Sequence, residues 1–237
     1  MMNLYRKNPV LFAVMWIVIY VVVMGNLRSL GDDSPAVLAG LAVICAGLAL
    51  FIWKNGLSEK HGLAGWSENS RQMLWFVPLW IVASGNLWGG VRANYAMPGL
   101  AFAMVMMALV GFAEEVIFRG FLFKAMLDSG SEKSAIIVSS VTFGMGHIVN
   151  LLNGQGTSET VIQIAFAISV GLLFTLAFHY GGSLWPCIIA HSLIDVASVV
   201  SALEGLLHWI YLGVAFVVIV AYSVYLVRTG KPHADHA

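Results

Sequence analysis

The chain has 237 residues, 59% of them hydrophobic and 10% charged, with a mean hydropathy of +0.86 and a formal net charge of zero. Soluble domains carry about a quarter charged residues, so this composition excludes an ordinary water-soluble globule. It predicts an all-α, polytopic bundle of about eight transmembrane helices in a lipid bilayer, and the absent charge excess gives no basis for a nucleic-acid partner.

The predicted elements follow in order. Arg6 and Lys7 precede a long apolar run with no small-x-small cleavage pattern after it, so 9–28 is read as a retained first span, not a signal peptide. Ser34-Pro35 supplies an N-cap and a proline at the first helical position for a span at 35–53. A third span is expected at 72–90, kinked at Pro78. Pro98 opens a span at 98–124, followed by spans at 134–152 and 160–179. Pro186 lies near the start of 183–202, and 207–227 is the last span. The connectors GDDSP, KNGLSEKHGLAG, DSGSEK and NGQGTSET hold the turn-forming residues. Backbone groups in lipid must bond within their own segment, so only helices fit apolar runs of this length. No segment is polar and long enough for a second domain, and 1–237 reads as one integral membrane domain. Cys45 and Cys187 lie in apolar runs and read as buried packing residues.

Charge predicts orientation. With eight spans, ten of the 12 Lys and Arg residues fall on one side: Arg6, Lys7, Lys54, Lys60, Arg71, Arg119, Lys124, Lys133, Arg228 and Lys231. Arg28 and Arg92 fall on the other. This bias predicts that both termini are cytoplasmic, in a cell inner or plasma membrane.

Few ionisable residues fall well inside these spans: Glu114, Glu115, His147, His191 and Asp195, with Arg119 closer to an edge. Each costs about 2.5–3.5 kcal/mol or more in hydrocarbon and so is a functional candidate, the alternative being buried pairs that hold helices together. Glu115 and Arg119 are i,i+4 and share a helical face, as do Phe143 and His147, and His191 and Asp195. Glu114 lies about 100° round from Glu115. At about 1.5 Å per residue, Glu114, His147, His191 and Asp195 all lie roughly 12–20 Å from the cytoplasmic span ends. They are expected in one layer, in a cavity opening to the cytoplasmic side. Arg119 is expected about 8 Å deep, able to snorkel. Gly111, Ala113, Gly144, Gly146, Ala190 and Ser192 flank these positions and allow close helix approach.

EEVIFR (114–119) fits EExxxR, FGMGH (143–147) fits FxxxH, and HSLID (191–195) fits Hxxx(N/D). In this order, over roughly 95–205, they resemble the CPBP family of intramembrane proteases, which includes CAAX prenyl endopeptidases and bacteriocin self-immunity (Abi) proteins. The resemblance implies hydrolysis of a peptide bond in a membrane-anchored peptide or protein, CAAX-prenylated or not. It implies Glu114 as the catalytic carboxylate, with His147 helping to hold and deprotonate water. His191 and Asp195 would lie on the oxyanion side, Glu115 and Arg119 would form a structural pair, and Phe143 would wall the site. Where CAAX endopeptidases tend to carry asparagine, this chain has Asp195, so Asp195 is expected either to be protonated or, preferably, to orient His191 as an acceptor. No cofactor is required on the preferred reading. If a metal takes part, zinc held by Glu114, His147, His191 and Asp195 is the expectation, although no HExxH occurs.

Rival readings are weaker. An aspartyl protease needs two intramembrane aspartates, and Ser183 lacks a serine-protease motif. A Cys187–His191 dyad is allowed by spacing, but an apolar setting disfavours the thiolate. A proton-coupled transporter would be favoured by repeat symmetry, and none is evident. A non-catalytic immunity or scaffold protein is the remaining alternative. His61, His179, His208, His233 and His236 read as solvated or interfacial, and Trp53, Trp75, Trp88, Trp185 and Trp209 as interfacial anchors.

Overall fold

A computed structural model describes residues 1–151 and 154–230; Lys231, His233 and His236 lie outside the described residues. The fold is a polytopic helical bundle. After a short helix α1 (Met2–Lys7), the helices are α2 (Pro9–Leu27), α3 (Pro35–Lys54), α4 (Val77–Ala83), α5 (Gly99–Glu115), α6 (Lys124–Ser129), α7 (Glu132–Met145), α8 (Thr157–Gly181), α9 (Trp185–Val199) and α10 (Gly205–Thr229). A π-helical segment, Val116–Phe123, joins α5 to α6, and a 3₁₀ segment, Gly146–Leu151, extends α7. Six of the resulting helices are long and apolar enough to cross a membrane, while Leu74–Ala83 and Trp185–Val199 are shorter.

The expected caps form. Ser34 accepts a hydrogen bond from the Ala36 N–H with Pro35 at the helix start, Pro98 is the N-cap of α5, and Pro186 stands in the first turn of α9. The third segment corrects its prediction. Pro78 does not kink a long helix; it lies in the first turn of the seven-residue α4. The break falls just before it, where Leu74, Trp75 and Phe76 take φ of 51°, 54° and 58°. Non-glycine residues adopt this left-handed region at a cost. Leu74 and Trp75 are exposed, but Phe76 is fully buried and the Tyr222 hydroxyl of α10 donates to the Met73 carbonyl at 2.6 Å, which offsets part of that cost.

This segment nevertheless crosses the bundle. At one end Gln72 Nε2 donates to the Thr229 carbonyl; further along, the Tyr211 hydroxyl donates to the Val82 carbonyl. Beyond that, Val91 pairs with Ser201. It therefore runs antiparallel to α10 along the bundle. One end of the bundle gathers α1, the 55–73 loop and the turns after α6 and α8. The Ser67 hydroxyl donates to the Gly181 carbonyl there, and Leu184 N–H to the Gly62 carbonyl. The other end gathers 28–34, 88–98, 146–151, 154–156 and 200–204, with Gly99 packed against Asp33.

The bundle buries one apolar core running through α2, α3, α5, the π segment, α8 and α10. Phe12, Trp16, Tyr20 and Met24 recur every four residues and form the buried face of α2. Gly111 brings α5 against α9: a Cβ there would lie 2.7 Å from the Ser192 nitrogen. Both cysteines are free and buried, as expected.

Candidate active site

The π segment starts directly after Glu115 and carries Arg119. A π-turn displaces backbone carbonyls from ordinary helical pairing, and two of them meet side chains. The Ser139 hydroxyl donates to the Phe118 carbonyl at 2.9 Å, and His61 Nδ1 lies 2.8 Å from the Gly120 carbonyl. The segment is buried along its whole length.

Arg119 does not snorkel. Its side chain is fully buried, with Nη1 donating to Glu115 Oε1 at 2.9 Å and Nη2 to the Gly171 carbonyl at 3.2 Å. Its guanidinium lies 4.1 Å from the Phe143 ring centre, a cation–π contact. Hydrogen bonds and ring packing hold the charge in place, so it has no drive to reach the interface.

Glu115 also faces α9. His191 Nδ1 lies 2.8 Å from Glu115 Oε1. With Nδ1–H donating to that carboxylate, Nε2 is turned towards Glu114 Oε2 at 3.8 Å and Asp195 Oδ2 at 3.4 Å. The shorter contact to His191 is thus from Glu115, while Asp195, expected to orient this ring, stands at the other nitrogen. The edge of the His191 ring meets Phe143, with centroids 5.6 Å apart. Glu114 Oε1 accepts a 2.8 Å hydrogen bond from the Tyr20 hydroxyl of α2. His147 stands on the 3₁₀ segment beyond the end of α7, edge-on to Phe143 at 5.8 Å.

Glu114, Phe143, His147, His191 and Asp195 thus line one cavity of about 490 Å³, while Glu115 and Arg119 lie behind its wall. Tyr20, Val21, Met24, Met107, Val110 and Phe118 give it apolar or aromatic surface, and Asn150, Gln155 and Gln163 add amide groups. Arg28 and Asp32 stand at its mouth, joined by a two-point ion pair with both contacts at 2.8 Å. These mouth residues belong to the end opposite the termini. If the termini are cytoplasmic, the cavity opens away from the cytoplasm, and the expectation of a cytoplasmic mouth is reversed. The candidate layer lies beyond mid-span from the Lys- and Arg-rich end, so the nearer exit is the other one.

Among the described residues, no three His, Cys, Asp or Glu side chains are grouped to hold a metal ion. Cys187 is no partner for His191 in a nucleophilic dyad: its thiol is buried, 3.4 Å from the Phe174 carbonyl.

Residues 96–197 match the family model described as type II CAAX prenyl endopeptidase Rce1-like. Over this segment, which is less than half of the chain, the protein is similar to the CAAX protease family. All three motifs lie within the matched segment. Comparison with the curated proteins and with the solved structures gave no match.

Sequence reasoning missed Tyr20, which lies outside the matched segment. One signal was present: a hydroxyl in the run IVIYVVV needs a partner when buried. It also missed the burial of His61 and His179, 1% and 8% exposed, expected at solvent or interface. His61 bridges the Tyr5 hydroxyl and the Gly120 carbonyl, and His179 meets Glu132 at 3.1 Å.

Proposed function

We propose that this protein is a glutamate-type intramembrane endopeptidase acting on a peptide bond of a membrane-associated substrate. The observation that carries the proposal is the grouping of Glu114, His147, His191 and Asp195, from three separate stretches of chain, around one cavity. Buried carboxylates and imidazoles serving only as helix glue would have no reason to share a chamber large enough for a peptide segment.

The geometry supports the following roles. Glu114, with one oxygen held by Tyr20, keeps Oε2 for a water molecule that His147 helps to position. Glu114 takes a proton from that water as the oxygen attacks the substrate carbonyl carbon. His191, as imidazolium, directs its Nε2–H at the carbonyl oxygen as negative charge develops there. Glu114 then passes its proton to the departing amine nitrogen as the C–N bond breaks. One water is consumed, and one carboxyl and one amine terminus are made. Glu115 and Arg119 hold the His191 ring and touch no substrate. Val21, Met107, Val110 and Phe118 suit a substrate with apolar side chains or a lipid chain.

The test is mass spectrometry of membrane peptides from cells making the wild-type protein or Glu114→Gln. Glutamine keeps the shape but cannot take the proton. Fragments that require Glu114 are expected; if the two fragment sets are identical, the chain is not acting as this enzyme.

A further inference from the structure

Tyr20 lies on α2, outside the segment that carries the three motifs, yet its hydroxyl is 2.8 Å from Glu114 Oε1. The residues around it in sequence are aliphatic, Ile17–Val23, and a phenylalanine would fill the same space in the core. Its ring continues the buried face made by Phe12, Trp16 and Met24. The hydroxyl is therefore the feature that packing does not explain. A buried hydroxyl without a partner is costly, and among the described residues its partner is the cavity-lining carboxylate.

We infer that Tyr20 is a positioning residue for Glu114. The inference rests on the proposed role of Glu114 as general base. A glutamate has several rotamers, and Glu114 has apolar neighbours in Val110 and Phe118. Arg119 is already committed to Glu115 and Gly171, so no cation on its own helix holds Glu114. The Tyr20 donor takes Oε1 and leaves Oε2 on the side of His191 Nε2, 3.8 Å away. Fixing one oxygen in this way selects the orientation from which the other can reach a water and a substrate carbonyl. The first span thus supplies part of the site without contributing a motif.

The full-length protein in detergent micelles is assayed with a peptide whose cleavage in membranes depends on Glu114. Tyr20→Phe is expected to lower kcat about tenfold and to leave KM within about twofold. Its thermal unfolding midpoint is expected to stay in place. In a Glu114→Asp background, where the carboxylate is withdrawn by one methylene, adding Tyr20→Phe is expected to cause no further loss. A packing role would lower the midpoint and carry the same fold loss into both backgrounds. Unchanged kcat in Tyr20→Phe, or equal losses in the two backgrounds, overturns the inference. Should Tyr20→Phe not be recovered folded, 3-fluorotyrosine at position 20 retains the shape and strengthens the donor. A kcat change of about twofold or more then supports the role, and no change refutes it. If Glu114→Gln leaves cleavage intact, the protease reading itself falls, and this inference with it. If Glu114→Gln abolishes cleavage while Tyr20→Phe leaves kcat untouched, only the role of Tyr20 is lost.

Discussion

Glu115 Oε1 lies 2.8 Å from His191 Nδ1 and 2.9 Å from Arg119 Nη1. One buried carboxylate oxygen therefore ties the EExxxR helix to the Hxxx(N/D) helix. The same contact decides which imidazole nitrogen faces the cavity.

Glu115 should consequently matter more to His191 than Asp195 does. Glu115→Gln is expected to lower kcat by 100-fold or more, about 3 kcal/mol in transition-state free energy. Asp195→Asn is expected to stay within about tenfold of wild type, because Asp195 lies 3.4 Å from His191 Nε2 and does not hold the ring. Steady-state kinetics on the Glu114-dependent peptide compares the two. Equal losses would mean that Asp195 shares the orienting role.

Arg119 is the charge that the fold can least easily lose. Arg119→Ala would leave Glu115 buried without its cation and would remove the contacts to Gly171 and Phe143. The expected loss is about 3–5 kcal/mol of stability, read as a large drop in the thermal midpoint in detergent. Arg119→Lys should recover only part of it, since an ammonium cannot reproduce the forked contacts or the stacking.

Two glycines separate close approach from spare room. Gly111→Ala would drive its methyl to 2.5 Å from Ser192 Oγ and 2.7 Å from the Ser192 nitrogen. Helix α9 would have to move, at about 1–3 kcal/mol. Around Gly213 on α10 nothing lies within 4 Å. Gly213→Ala should be neutral or stabilising by about 0.5–1 kcal/mol, from helix propensity. Unfolding midpoints of the two variants measured side by side test the contrast.

His61 gives a pH dependence in the 55–73 loop. Burial pushes its pKa from the ordinary 6.5 down to about 4; the bond to the Gly120 carbonyl opposes this, and nearby Lys60 and Lys124 add to the lowering while Asp128 opposes it. The folded protein thus holds His61 neutral while the unfolded chain takes up a proton. The stability this residue contributes is complete above about pH 6.5 and is lost as pH falls to about 4, in total about 3 kcal/mol at about 1.4 kcal/mol per unit. His61→Gln can still donate to Gly120 but cannot titrate. Its midpoint should fall less than that of wild type across this window. Parallel curves for the two proteins would show that His61 does not titrate there.

The helical content, the cap at Ser34, the prolines near the helix starts at Pro98 and Pro186, and the motif residues that line the cavity, though not Tyr20, were readable in the sequence. Each is a local property: apolar run length, a side chain bonding its own helix start, or an ionisable group too costly to leave in lipid. The third segment was read only in part. The run 72–90 does cross the bundle, but its left-handed turn at Leu74–Phe76 depends on where Tyr222 and the rest of α10 stand. The snorkelling assigned to Arg119 failed because distance along a helix does not tell whether a neighbour will satisfy the charge.

The amino-acid order alone determined that the chain spans a bilayer as helices and which carboxylates and imidazoles lie at a common depth, since hydrophobic length and helical rise follow from sequence spacing. Only the tertiary structure decided that Glu115 holds His191, that Tyr20 reaches Glu114, and which end of the bundle the cavity opens towards. Those outcomes depend on the rotation and lateral packing of helices far apart in the chain, and no periodicity within one helix encodes the angle at which it meets another.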